Sequence, residues 1–435
     1  MTDTKMLLKS AYKAWSSASD FRARRLRYKK YTYGKQWCDT VFHQGHYVEE
    51  WQLIEANGKK PLTNNLIRQI VKTVIGRFRA MAEENGLYDG GDAFIADNAL
   101  PELDSRLLEE FLISGCAVQR IGRDSRFFSG GTVIENVNPR AFFVNGYRDP
   151  LGRDIELIGM LHDMSFAEVA GRFGRGDRRT LRQLKAIYNA PTGERVFSAG
   201  RILGDDEGSP DFFSAADGKC CVIEVWTLDY RPATAAAKTA ELRPDDFVWR
   251  CRLLAPDGTL LAEHGPARTG GRHPFIVKLY PLTDGEVHSF VEDVIDQQRY
   301  VNRLIVMMDH ILASTAKGVL LFPVEQLPKD SDWASVSDAW ARCDGVIPIT
   351  GAGTQMPTQV VTTGANNGAY QLLSLEMDLF EKISGVSEAL SGRRVSPATG
   401  ATLYESQIRN ATIALADLLE TFVSLIKTRN AAARK

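Results

Sequence analysis

The sequence predicts an α+β chain, on three observations. Residues 219–282 read mostly as β-strand, whereas 61–81, 100–115 and 369–384 carry apolar residues at helical spacing. The stretch VHSFVEDVIDQQRYVNRLIVMMDHILAS (287–314) reads as one unbroken helix with apolar groups on more than one face. Helices and strands thus come in separate runs, as in α+β folds.

In chain order, 5–35 is helical. Its second half places Arg22, Arg24, Arg25, Arg27, Lys29, Lys30 and Lys35 among Phe21, Tyr28, Tyr31 and Tyr33. Two readings stay open for that run: a phosphate-contacting surface, or the solvated face of an amphipathic helix with its aromatics turned inward. The helix at 61–81 opens with Thr63 and Asn64 as cap candidates and repeats Leu66, Ile67, Ile70, Val71, Val74, Ile75 and Phe78. Another helix over 100–115 precedes β-forming segments at 116–122 and 131–146, a small α+β module. Ser165 and Glu168 form a capping-box pattern for a helix at 165–174, with an arginine-rich continuation over 172–185. Residues 189–218 are dense in Gly, Pro, Asp and Ser and read as a long exposed loop or module boundary. Strands follow at 220–231 and 273–282, with a hairpin pair at 247–254 and 258–265. Beyond the long helix, short strands are expected at 318–327, 344–350 and 358–363, then a helix at 369–384. A Gly/Ser/Pro-rich loop at 385–400 leads into the last helix, 401 to about 429.

A chain of 435 residues, 44% hydrophobic, is long enough for two or three packed domains. With 53 basic and 54 acidic side chains it is no simple polycation, so any anionic partner is met locally. The six cysteines lack C-x-x-C spacing and sit beside apolar neighbours, the pattern of reduced, buried thiols in a cytosolic protein. The N-terminus has no apolar core of signal-peptide length and no apolar run spans a bilayer, so an aqueous compartment and no membrane partner are expected.

Enzymatic motifs are missing. ARTGGR (267–272) lacks the Gly-Lys-Ser/Thr ending of a phosphate loop. His43 and His46 form the one close histidine pair, without the acidic helix of a zincin or nearby cysteine ligands. Glu292, Asp293 and Asp296 could suggest two-metal chemistry, but at the N-terminal turn of a helix the macrodipole alone accounts for them. No Gly-x-Ser-x-Gly elbow is present. The expectation is a protein without catalytic residues, metal or cofactor.

The long helix carries polar groups where its apolar stripes pass. Gln297, Gln298 and Asn302 interrupt them, and buried amides of this kind set register between packed helices. Asp296, Arg299 and Arg303 suit ion pairs within the helix or with a neighbouring copy. These six residues are the candidate contacts between subunits.

The order of segments resembles a known family. HPFIVKLYPLTDGEVHSFVEDVIDQQRYVNRLIVMM (273–308) looks like the clip-to-stem passage of tailed-bacteriophage portal proteins. LFEKISGVSEALSGRRVSPATGATLYESQIRNA (379–411) is similar to their helix ending in Ile-Ser-Gly-Val, glycine-rich loop and Ser/Thr-Gly-Ala helix start. YGKQW (33–37) and PLTNNLIRQIVKTVIG (61–76) resemble the start of the P22-like, short-tailed-phage portals.

That resemblance implies a portal fold and a dodecameric ring at one capsid vertex of the virion, assembled in the host cytoplasm, through which double-stranded DNA is packaged and ejected. Implied partners are the large terminase subunit, head-to-tail adaptor or tail proteins, and capsid or scaffolding protein. It divides the chain into a mixed α/β wing (1–218 and 317–384), a β-rich clip (219–285), a stem helix (286–316), a tunnel loop (385–400) and a C-terminal helix with a short crown (401–435). Arg393 and Arg394 in that loop are the candidate DNA-channel contacts, and ordinary loop arginines facing other subunits are the alternative. A second stem helix before the clip is not visible. The rival functions are another head-to-tail adaptor, for which the chain is long, and a nucleic-acid enzyme, for which motor motifs are missing.

Overall fold

The computed structural model describes residues 4–89, 91–123, 131–189, 212–213, 219–230, 247–265, 271–315, 319–327, 332–341, 347, 349–350, 356–360, 366–386 and 413–434. The chain divides into two compact units, one built from residues 1–29, 70–292 and 388–435, the other from 30–69 and 293–387.

The first unit is organised by two antiparallel sheets. Strands β5 (Phe142–Val144), β6 (Leu157–Met164), β7 (Cys220–Tyr230), β8 (Phe247–Leu254) and β9 (Leu260–His264) form a five-stranded sheet in that order. In β7, CCVIEVW is buried throughout, because both faces of this central strand are covered. On one face Cys221, Ile223 and Val225 pack on Leu7, Leu8 and Ala11 of α1 (Thr4–Ser17). On the other, Trp226 joins Phe142, Ile158, Cys251, Val118 and Phe275. Gly159 in β6 lies so close to β7 that a Cβ there would sit 2.0 Å from the Glu224 carbonyl. The second sheet, β10–β3–β4, comprises β3 (Cys116–Arg123), β4 (Thr132–Asn136) and β10 (Phe275–Leu279).

Helix α6 (Leu100–Ser114) ends at Gly115 with φ +68°, where a Cβ would meet the His288 carbonyl at 2.7 Å. Glycine at this position both stops the helix and lets β3 start. Ser165 caps α7 (Phe166–Phe173), its hydroxyl accepting from the Glu168 amide at 3.2 Å as its spacing predicts. The arginine-rich continuation is a separate helix, α8 (Arg178–Asn189), because Arg175 and Gly176 adopt left-handed φ values of 46° and 72° between the two.

The second unit holds the hairpin β1 (Thr40–His43) and β2 (His46–Glu49), α3 (Glu50–Ala56) and the start of α4 (Leu66–Glu84). It also holds α9 (Ile295–Thr315), α10 (Trp333–Ala341), α11 (Asn366–Ser384) and the antiparallel pair β13 (Val319–Leu321) and β14 (Thr358–Val360). Helices α9 and α11 pack side by side.

The mixture of helix and antiparallel sheet agrees with the α+β expectation. Several element bounds differ from the sequence reading. The segment 5–35 is two helices, α1 and α2 (Ser19–Thr32). The long helix begins at Ile295 rather than 287: Glu286 and Val287 form strand β12 against β11 (Pro281–Thr283), and Ser289 and Glu292 cap a separate 3-10 turn. The Ser289 hydroxyl accepts from the Glu292 amide at 2.9 Å and the Glu292 carboxylate from the Ser289 amide at 3.3 Å. Its 21 residues span about 31 Å at 1.5 Å per residue. Residues 157–164, read without a strand, pair with β7 over eight positions, so the β segments on either side of 189–218 share one sheet. The loop at 385–400 lies almost wholly outside the described residues, and the last helix is described as α12 (Ala416–Ala433).

Candidate functional site

Helix α9 carries most of the site candidates, and the structure gives its two buried amides a definite task. A helix start leaves backbone N–H groups without intrahelical partners, and those of α4 are met from α9. The Gln298 side-chain oxygen accepts from the amides of Leu66 at 2.9 Å and Ile67 at 3.2 Å, and its NH2 donates to the Asn64 carbonyl at 2.7 Å. One turn on, the Asn302 oxygen accepts from the Asn64 amide at 3.1 Å and from Gln298 at 3.1 Å. Asn302 in turn donates to Gln36 at 2.6 Å, and Gln36 donates to the Tyr31 carbonyl and the Asn65 side chain. Asn65, not Thr63 or Asn64, is the local cap, accepting from the Arg68 amide at 3.0 Å. Gln298, Asn302 and Gln36 are all buried. A connected, satisfied polar network of this kind fixes one arrangement of the chain.

The charged candidates split by position. Arg303 and Arg299 converge on the buried carboxylate of Glu50, Arg303 Nε at 3.1 Å and Arg299 Nη2 at 3.4 Å. Arg299 also faces Asp39 at 3.5 Å, whose carboxylate accepts from the Tyr31 hydroxyl at 2.7 Å. Asp296 is exposed. The Gln297 side-chain oxygen is buried without a hydrogen-bond partner. Arg393 and Arg394 lie outside the described residues.

Around these groups large apolar side chains are exposed among charged ones. Tyr300, Met307 and Leu312 of α9 are 42%, 48% and 54% exposed, and Tyr370, Leu375, Met377 and Ile383 of α11 are exposed as well. Scattered apolar residues are ordinary on a surface, and these seven share it with exposed charges such as Arg303, Asp309 and Asp378.

Other features of the sequence resolve into structure. Of the basic run, Arg22 stacks on Trp15 with its guanidinium carbon 3.8 Å from the ring centroid. Arg24 faces Glu292 at 3.7 Å, and Arg25 grips Glu110 through two bonds of 2.6 and 2.7 Å. His43 and His46 pair across the β1–β2 hairpin, and among the described residues no cluster of His, Cys, Asp or Glu is built to hold a metal. Among the described residues five cysteines form no disulfide, and four of these are buried. No helix among the described residues is long and apolar enough to cross a membrane.

Two buried clusters had no recognisable signal in the sequence. Arg429 of α12 is fully buried, bonded to Asp104 of α6 and to Gln119 of β3 at 3.2 Å, while Tyr88 donates to Asp104 at 3.0 Å. Glu224 of β7 accepts from Trp226 at 2.7 Å and lies 2.6 Å from His162 and 3.3 Å from Arg120. Burial alone would raise the Glu224 pKa, but the His162 bond and the Arg120 charge overcome it and hold the group down at about 2.

Comparison with protein families completes the picture. The family model described as phage P22-like portal protein matches residues 92–428. This chain belongs to the P22-like portal family. A comparison with curated proteins found no match. The portal match runs from the residue before α5 (Ala93–Asp97) to Thr428 in α12 and includes all of α9. Gln36 and 64–67, which receive the α9 amides, precede the portal match.

Proposed function

We propose that this chain is the portal subunit of a phage, assembling as a dodecameric ring at one capsid vertex and forming the channel for packaging and ejecting double-stranded DNA. The single observation that carries this reading is the family match over 92–428. In this proposal α9 is the stem helix, a clip lies within 219–285, and the remainder of 1–218 and 317–384 forms the wing. The 385–400 loop lines the tunnel through Arg393 and Arg394, and 401–435 forms a short crown. The large terminase subunit docks on the clip, adaptor or tail proteins join the ring, and capsid or scaffolding protein surrounds it.

The surface of α9 supports a contact between copies. In a closed ring each subunit presents the same two faces to two neighbours. Tyr300, Met307 and Leu312, together with the apolar residues of α11, supply apolar surface for such contacts. With Gln298 and Asn302 bonded within the chain, Gln297 and Asp296 are the polar candidates left for a neighbouring copy, and Arg299 and Arg303 join them only if Glu50 is shared.

Native mass spectrometry of the purified full chain, paired with negative-stain electron microscopy, tests the proposal. The expected result is a closed ring with a central hole and a mass of a dozen subunits. A chain that stays monomeric at high concentration and cleaves DNA when given a divalent metal overturns it in favour of the nucleic-acid enzyme.

A further inference from the structure

The segment from α7 to α8 holds six cations, Arg172, Arg175, Arg178, Arg179, Arg182 and Lys185, against two carboxylates, Glu168 and Asp177. All six are exposed. Both carboxylates are already engaged. Glu168 pairs with Arg172 at 3.0 Å, and Asp177 caps α8 by accepting from the amides of Arg179 at 3.0 Å and Thr180 at 3.2 Å. Arg175, Arg178, Arg179, Arg182 and Lys185 have no carboxylate partner among the described residues. The basic run on α2 is the contrast, since Arg22, Arg24 and Arg25 there are spent on Trp15, Glu292 and Glu110.

An uncompensated set of this kind works against the fold. Arg178 and Arg182 stand at i,i+4, and Arg179, Arg182 and Lys185 at successive i,i+3 spacings, where like charges repel on a helix surface. Arg175 adds a backbone cost: at φ 46° a side chain is disfavoured where glycine is not. Among the described residues the strain and the repulsion have no compensating ion pair. The opposite face of α8 accounts for the helix itself, with Leu184 and Tyr188 packed on Val169, Phe173 and Val222.

We infer that this surface binds the phosphate backbone of duplex DNA, without regard to sequence. Four of the five unpaired cations are arginines, whose planar fork matches phosphate oxygens in pairs. The 12 residues of α8 extend about 18 Å. A duplex presents a negative charge about every 1.7 Å of its axis, enough to meet every cation on the helix. An acidic peptide fits less well, because peptide recognition uses pockets for apolar anchors and no large apolar side chain of this segment is exposed. The surface is distinct in sequence from the proposed tunnel loop, and the inference stands whether or not the chain forms a ring.

The test is fluorescence anisotropy of the full chain with a labelled duplex of mixed sequence, about 20 base pairs long, between about 50 and 200 mM salt. The combined Arg175→Gln, Arg178→Gln, Arg179→Gln, Arg182→Gln and Lys185→Gln variant should bind at least about tenfold more weakly, with the slope of log K against log salt reduced by about 4.5. Its assembly state by native mass should be unchanged. Arg175→Gly alone should weaken binding while raising Tm, a pairing of signs that a purely structural role does not produce. The inference is overturned if the unaltered chain does not bind or if the slope is unchanged in the combined variant. Polyglutamate competing as well as DNA overturns it too, in favour of an acidic protein partner.

Discussion

Glu224 is the one carboxylate inside the buried run of β7, and its environment makes it a reporter of acid stability. Its pKa is depressed from the usual glutamate value to about 2, so the ionised form is favoured more in the folded chain than in the unfolded one. The resulting stabilisation is full above about pH 4.5 and is lost as pH falls toward 2; the shift corresponds to about 3 kcal/mol. Chemical denaturation of the Glu224→Gln variant should therefore show a large deficit at neutral pH that shrinks as pH falls through this window. A deficit of constant size would mean that the carboxylate's charge is not what Arg120 and His162 stabilise. The sequence marks β7 as a strand through its β-forming residues, yet gives no sign that Glu224 meets Arg120, because that contact joins residues 104 positions apart. Ser165 is the opposite case: its partner lies three residues on, and the local pattern suffices.

At the scale of elements, capping of α4 by α9 has a measurable consequence. Gln298→Leu leaves the amides of Leu66 and Ile67 and the carbonyl of Asn64 without these bonds, at about 1–3 kcal/mol for each buried group left unsatisfied. The unfolding midpoint of the chain itself should fall, and replacing Asn302 as well should add less than its separate effect because the two amides share Asn64. An unchanged midpoint with an altered ring count would return these amides to the subunit interface. Arg429 and Asp104 allow a second cycle. Either single change, Arg429→Met or Asp104→Leu, strands a buried charge at about 3–5 kcal/mol, whereas the double variant should recover much of that loss in urea melts. Additive losses would show that the two do not act as a pair. Apolar periodicity makes α9 legible in the sequence, but residues 287–294 adopt other structure. Helical spacing in 287–294 is apolar enough for a helix, and the strand pairing of Val287 with Pro281 and the Ser289–Glu292 cap decide otherwise.

Across the whole molecule, the ring proposal makes the exposed apolar residues of α9 its decisive positions. Tyr300→Asp with Met307→Asp should break the assembly into smaller species by native mass while leaving the Tm of the separated chain within the small range of surface changes. Rings that persist would move the subunit contact elsewhere. The family was readable from the order of segments, since 273–308 and 379–411 both fall inside the matched stretch, whereas 33–37 and 61–76 precede it. The partition into units was not, because composition marks 189–218 as a boundary while strands on both sides of it share a sheet. The amides of α9 meet partners up to 266 residues earlier in the chain, and that separation sets an order of events during synthesis. At about 5–20 residues per second the ribosome delivers Gln298 on the order of 10–50 s after Ile67. Residues 30–69 must therefore wait, unclosed, while 70–292 emerge and are free to fold, and a translational pause before α9 would lengthen the interval in which the nascent chain depends on chaperones.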